Sequence, residues 1–105
     1  MQTKKPDKKI ERLKGAVGLL KLLAHPVRLS ILCNLLHHHE LCVGDLVAAE
    51  GGRVTQSQIS QFLGKMRSEG LVKSRRQAQT VYYRMHNPQA KVVVQKLYEI
   101  YCGTC

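Results

Sequence analysis

The sequence predicts a mainly α fold carrying a two-stranded β wing, an α+β winged helix-turn-helix, and three observations carry that prediction. From Thr55 to Met85 the chain reads as a helix that leads directly into a basic hairpin. Within that helix Ile59, Phe62, Leu63 and Met66 recur at i, i+3, i+4 and i+7, which gathers apolar side chains on one face. Helical patterns precede this unit three times and follow it once, an order that gives four helices, two strands and a fifth helix. With 105 residues the chain makes one small domain. A domain of this size buries a modest share of its surface, so a second copy would help it.

The elements follow in order. Residues 1–9 are polar and lysine-rich and are expected to form a mobile tail, leaving 10–105 as the folded domain. From Ile10 to Ala24, Leu13, Ala16, Val17, Leu20 and Leu23 keep a helical period that Gly15 and Gly18 weaken. Pro26 suits the first turn of a second helix, which carries Leu29, Ile31, Leu32, Leu35 and Leu36 before it dissolves into His37-His38-His39. Val43 to Glu50 is a short helix with Asp45 in its first turn and Gly51-Gly52 as its stop. Thr55 is the N-cap expected of the fourth helix, and Gly70 ends it. Leu71 to Arg76 and Thr80 to Met85 read as strands, with Val81, Tyr83 and Met85 alternating against Thr80, Tyr82 and Arg84. Asn87-Pro88 then reads as an N-cap with proline at the first helical position, opening a last helix that Gly103 stops.

Charge points to a polyanion. The chain holds 17 basic and 7 acidic residues, a net +10. Residues 1–14 contribute six basic residues against two acidic ones, and residues 53–84 contribute seven basic residues against Glu69 alone. The remainder sums to zero. A surplus confined to a tail and one candidate recognition unit fits nucleic acid, because each neutralised phosphate releases condensed counterions. On the fourth helix the face opposite the apolar one holds Gln56, Ser57, Ser60, Gln61 and Lys65. Amides and hydroxyls of this kind hydrogen-bond base edges and phosphate oxygens in the major groove. Gln56, Ser57, Ser60 and Gln61 are therefore expected at base edges, with Lys65, Arg67, Arg75 and Arg76 on phosphates.

No apolar run is long enough to span a bilayer, and the basic start is followed by an amphipathic pattern instead of a signal-peptide core, so a cytoplasmic protein without a membrane role is expected. Its four cysteines, Cys33, Cys42, Cys102 and Cys105, would then be reduced at rest and serve metal binding or redox sensing. Cys33 lies among Ile31, Leu32 and Leu35, where a thiol can also act as a small hydrophobe. His37 follows it by four residues and shares its helical face. A soft tetrahedral ion would find ligands in Cys33, His37, Cys102 and Cys105. An enzyme is not expected, since Cys102-Gly-Thr-Cys105 has no βαβ pattern around it and no cofactor-binding loop is present.

The segments LLKLLAHPVRLSILCNL, ELCVGDL, QSQISQFLGKMRSEGLV and RRQAQTVYYRM together resemble the ArsR/SmtB family of homodimeric winged-helix repressors, over nearly the whole chain after the tail. The resemblance implies a homodimer built through the first and last helices, with the fourth helix in the major groove. Two-fold symmetry implies an inverted-repeat operator in double-stranded DNA. The arsenic-sensing type reads ELCVCDL where this chain has ELCVGDL, so Gly44 stands in place of a second thiol beside Cys42. The zinc- and nickel-sensing type carries acidic and histidine ligands along the last helix, where this chain has Glu99 as its only acid and no histidine. Cys33 on the second helix and Cys102 at the end of the last are similar in placement to the cysteine pair of the reactive-sulfur-sensing branch. By that resemblance a persulfide inducer joins Cys33 and Cys102 through a disulfide or polysulfide bridge, operator affinity falls, and no cofactor is needed. The alternative within the same family is a thiolate sensor of metal or metalloid using Cys33, Cys42, Cys102, Cys105 and His37.

Overall fold

The computed structural model describes residues 8–103. It holds helices α1 (Lys8–Leu23), α2 (Pro26–His37), α3 (Val43–Ala49), α4 (Gln56–Ser68) and α5 (Pro88–Cys102), with strands β1 (Leu41–Cys42), β2 (Val72–Gln77) and β3 (Thr80–Met85). The mainly helical winged helix-turn-helix is thus the observed architecture. Lys8 and Lys9 form the first turn of α1 instead of belonging to a tail, and residues 1–7, which hold the rest of the expected tail, lie outside the described part.

Local chemistry sets the helix ends. His25 caps α2, its Nδ1 accepting from the Val27 amide at 3.2 Å, and Pro26 follows where its missing N–H costs nothing. Thr55 and Gln58 form a reciprocal box at the start of α4. The Gln58 amide donates to Thr55 Oγ1 at 3.1 Å, and the Thr55 amide donates to Gln58 Oε1 at 2.9 Å. Asn87 caps α5 by accepting from the Ala90 amide at 3.0 Å. After α4 the chain turns through Gly70 at φ 78°, a left-handed conformation that favours glycine.

The wing differs from expectation in that it belongs to a three-stranded antiparallel sheet in the order β1-β3-β2. β2 and β3 pair from Val72↔Met85 to Gln77↔Thr80, so the hairpin turn is Ala78-Gln79 and the first strand runs one residue later than its sequence pattern implied. β1 adds Leu41↔Tyr83 and Cys42↔Tyr82, which places Cys42, Tyr82 and Arg75 in one row across the sheet. Two residues are too few to carry a period of two, which is why the sequence shows no sign of β1.

One core unites these elements. Leu23, Ile31, Leu32, Leu35, Leu46, Val54, Ile59, Leu63, Met66, Leu71, Val72, Met85, Ala90 and Val94 are buried together. Phe62, expected on the apolar face of α4, is only partly buried. It packs at the edge of the core against the His25 ring, with centroids 4.8 Å apart, and beneath the Arg28 guanidinium at 6.0 Å. α1 turns Leu23 inward but leaves Ile10, Leu13, Val17 and Leu20 about half exposed, at 47–55%. On α5, Val92, Ile100 and Tyr101 are exposed as well. The Cα radius of gyration is 16.0 Å, larger than the roughly 13 Å of a compact chain of this length.

Candidate functional site

Two surfaces carry the chemistry. The first is the outer face of α4. Burial of Ile59, Leu63 and Met66 fixes the helix's rotation, and Gln56, Ser57, Ser60, Gln61, Lys65 and Arg67 are all exposed as a result. Gly64 lies on this same exposed face, and a methyl group added there would meet no protein atom within 4 Å. Lys65 pairs loosely with Glu69 at 3.6 Å, an exposed contact that is easily exchanged for another anion. Arg67 donates to Ser74 Oγ at 3.2 Å, linking the last turn of α4 to β2.

Arg75 and Arg76, both expected on phosphates and both exposed, differ in what surrounds them. Alternation along β2 sends them to opposite faces. Arg76 is exposed. The Arg75 guanidinium lies over the Tyr82 ring, 4.9 Å from its centroid, and grips Glu40 from Nε at 2.8 and 3.0 Å and from Nη2 at 2.7 Å. Its Nη1 donates to Gln77 Oε1 at 2.8 Å. This charge-assisted fork holds the Glu40 carboxyl below, and the Arg75 guanidinium above, their ordinary pKa ranges. Glu40 carried no signal in the sequence, because it meets its partner across 35 residues.

The second surface is a cleft of about 440 Å³ between α2 and α5, lined by Pro26, Leu29, Ser30, Cys33, Asn34, Leu97, Tyr98, Tyr101 and Cys102. Helical spacing puts Leu29, Ser30, Cys33 and Asn34 on one face of α2, and the last turns of α5 supply the opposite wall. Cys33 is half-buried, Cys102 is exposed, and both are thiols. His37 Nδ1 donates to the Cys33 carbonyl oxygen at 2.7 Å, and its ring packs against Tyr98 with centroids 4.5 Å apart. Because a carbonyl only accepts, Nδ1 carries a proton. Among the described residues no three His, Cys, Asp or Glu side chains gather closely enough to hold a metal ion, and Cys105 lies outside those residues.

Cys42 lies elsewhere, at the junction of β1 and α3, where its amide donates to the Asp45 carboxylate at 3.2 Å. A Cβ on Gly44 would stand 3.8 Å from Cys42 Sγ, an ordinary contact. Sequence reasoning missed one further group. Glu50 is 2% exposed, the one charged side chain buried among the described residues, and it accepts from Ser30 Oγ at 2.6 Å and Asn34 Nδ2 at 3.3 Å. Both donors also line the cleft.

A winged helix whose recognition face is amide-rich and whose wing is basic defines a DNA-binding transcriptional regulator. Comparison with known proteins agrees and is more specific. Residues 25–74 match the model of the arsR family of bacterial regulatory proteins. The chain is 42% identical over 87 residues to the transcriptional activator HlyU of Vibrio cholerae, covering 83% of this chain and 78% of that protein. It is 38% identical over 93 residues to a biofilm growth-associated repressor of Xylella fastidiosa, covering 89% and 79%. Reduced HlyU from Vibrio cholerae superposes with a TM-score of 0.82 at 39% identity, covering 91% of this chain and 99% of that one. The chain belongs to the arsR family, on the branch that holds these two regulators.

Proposed function

We propose that the chain is a cytoplasmic, homodimeric transcriptional repressor that binds an inverted-repeat operator and releases it when a persulfide or related oxidant joins Cys33 to Cys102. The observation that carries this reading is the shared cleft, in which one thiol from α2 and one from α5 face the same space. Gln56, Ser57, Ser60 and Gln61 read base edges, while Lys65, Arg67 and Arg76 neutralise phosphates. Arg75 serves as the wing's anchor. The half-exposed stripe of α1 and the exposed apolar residues of α5 support a dimer interface, since burying them completes a core that one copy leaves open.

The chemistry runs in two displacements. The exposed Cys102 thiolate attacks the terminal sulfur of a hydropersulfide R–S–SH, giving Cys102–S–SH and releasing RS⁻. The Cys33 thiolate then attacks the sulfur bonded to Cys102 Cβ, forming Cys33–S–S–Cys102 and expelling HS⁻. Two electrons leave the protein thiols, and the sulfane sulfur leaves as sulfide. A direct disulfide needs Cα atoms about 4.4–6.8 Å apart, and extra sulfur in the bridge relaxes that requirement. Tying α5 to α2 shifts a helix of the dimer interface and so the spacing of the two α4 helices, which must match half-sites about 34–36 Å apart.

The test is operator titration with mass spectrometry of the cysteines after persulfide treatment. Cys33→Ser and Cys102→Ser should bind operator and stay bound. Release by either variant would end the assignment. Stoichiometric tight zinc or copper, with metal-dependent release of DNA, would transfer the switch to the set Cys33, His37, Cys102 and Cys105.

A further inference from the structure

Resting on that reading, we infer that Glu50 is the positioning residue that carries the state of the cleft to the recognition helix. Its two carboxylate oxygens face different elements. Oε2 accepts from Ser30 at 2.6 Å and from Asn34 at 3.3 Å, both on α2. Oε1 meets Arg53 Nη2 at 3.4 Å, in the turn between α3 and α4. The Arg53 amide also donates to the Glu50 carbonyl at 3.2 Å, and Thr55, two residues on, caps α4. One side chain therefore spans from the wall that holds Cys33 to the turn that precedes the proposed recognition helix, where the Arg53 side chain it meets is 74% exposed.

Ser30 and Asn34 sit three residues before and one after Cys33, so no rotation of α2 at the thiol leaves them in place. Glu50 has no solvent to replace a lost donor, being 2% exposed. A buried carboxylate that loses its hydrogen bonds is costly, so the α3–α4 turn is pressed to follow α2 when a bridge pulls on Cys33. A second contact runs alongside: His25 and Arg28, at the cap and in the first turn of the same helix, pack against Phe62 of α4. An apolar residue at position 50 would hold the core together as well, but it would not couple these two elements by direction and length.

The experiment measures one ratio, the operator Kd of fully bridged protein divided by that of reduced protein. Bridging is quantified by mass spectrometry in each variant. The ratio cancels any general loss of folding or DNA affinity, which a purely structural role would produce in both states. Ser30→Ala removes the shortest bond and Glu50→Gln removes the charge while keeping the shape, and each should lower the ratio about tenfold, the coupling equivalent of about 1.4 kcal/mol. Ser30→Thr, which keeps the hydroxyl, should restore the wild-type ratio. Both variants bridging fully with an unchanged ratio would overturn the inference, as would loss of bridging itself, which would place Ser30 and Glu50 at the thiol chemistry instead. Wild-type protein that bridges and keeps its operator affinity would overturn the dithiol switch, and this inference with it.

Discussion

Replacing Leu20 with glutamate tests whether α1 is an interface, and the structure sets the size of the effect. Leu20 is 55% exposed and is not among the side chains that pack against the core. Full burial of a leucine side chain stabilises by about 1.5–3 kcal/mol, so roughly 1–1.5 kcal/mol remains to be gained when a partner covers the exposed half. A two-fold axis counts each substitution twice, which makes the loss about 2–3 kcal/mol before the cost of desolvating two carboxylates. At about 1.4 kcal/mol per tenfold, the dimer Kd should rise roughly 30- to 100-fold or more. Glutamate is nearly as good a helix former as leucine, so α1 should persist. Sedimentation equilibrium over a range of concentrations reads the dimer Kd, and circular dichroism checks the helix content. A Leu20→Glu protein with intact helicity and a dimer Kd within about threefold of wild type would refute the argument that this stripe is covered by a second copy.

Four other substitutions probe the DNA face and the wing. Arg76→Ala should lower the slope of log K against log salt by about 0.9 for each phosphate it ceases to neutralise, while Arg75→Ala should change the slope less and disturb the wing more, read as altered protection of β2 amides in hydrogen exchange. Gly64→Ala should raise stability by about 1 kcal/mol, or about 4–8 °C in thermal melting, because the methyl group meets no protein atom and alanine favours the helix. Unchanged or lower melting would show that something in the folded protein occupies that space. Glu40 has a folded pKa below its ordinary value of 4.5, owing first to the hydrogen bond from Arg75. Its contribution is therefore present above that ordinary value and lost as pH falls through the lowered one, so Glu40→Gln should flatten the acid limb of the stability curve below about pH 4.5. A melting curve for Glu40→Gln that tracks wild type through that window would contradict the fork.

Local chemistry was legible in the sequence and long-range pairing was not. Thr55, Asn87, Pro26 and Gly70 act within a turn of where they stand, so their roles as caps and stops follow from residue type and spacing. His25 as a cap carried no such signal, because histidine is not a favoured residue there. β1, the Glu40–Arg75 fork and the burial of Glu50 depend on pairings between residues 16 to 42 positions apart, which no periodicity encodes. The thiols themselves were visible, but their convergence is a product of α2 packing against α5. It was resemblance to a family, and not spacing, that paired Cys33 with Cys102.

Glu40 grips Arg75 much as a phosphate would, with its two oxygens on the guanidinium nitrogens. The surplus counted for residues 53–84 is therefore partly offset in space, since an acid outside that segment pairs with one of its arginines. DNA would have to outcompete this built-in anion to recruit it. A regulator searches its operator among a great excess of unrelated sequence, to which backbone charge alone provides the attraction. If the proposed wing contacts hold, a cation engaged in this way would loosen that indiscriminate hold more than it weakens base readout, favouring departure from wrong sites over arrival at any site.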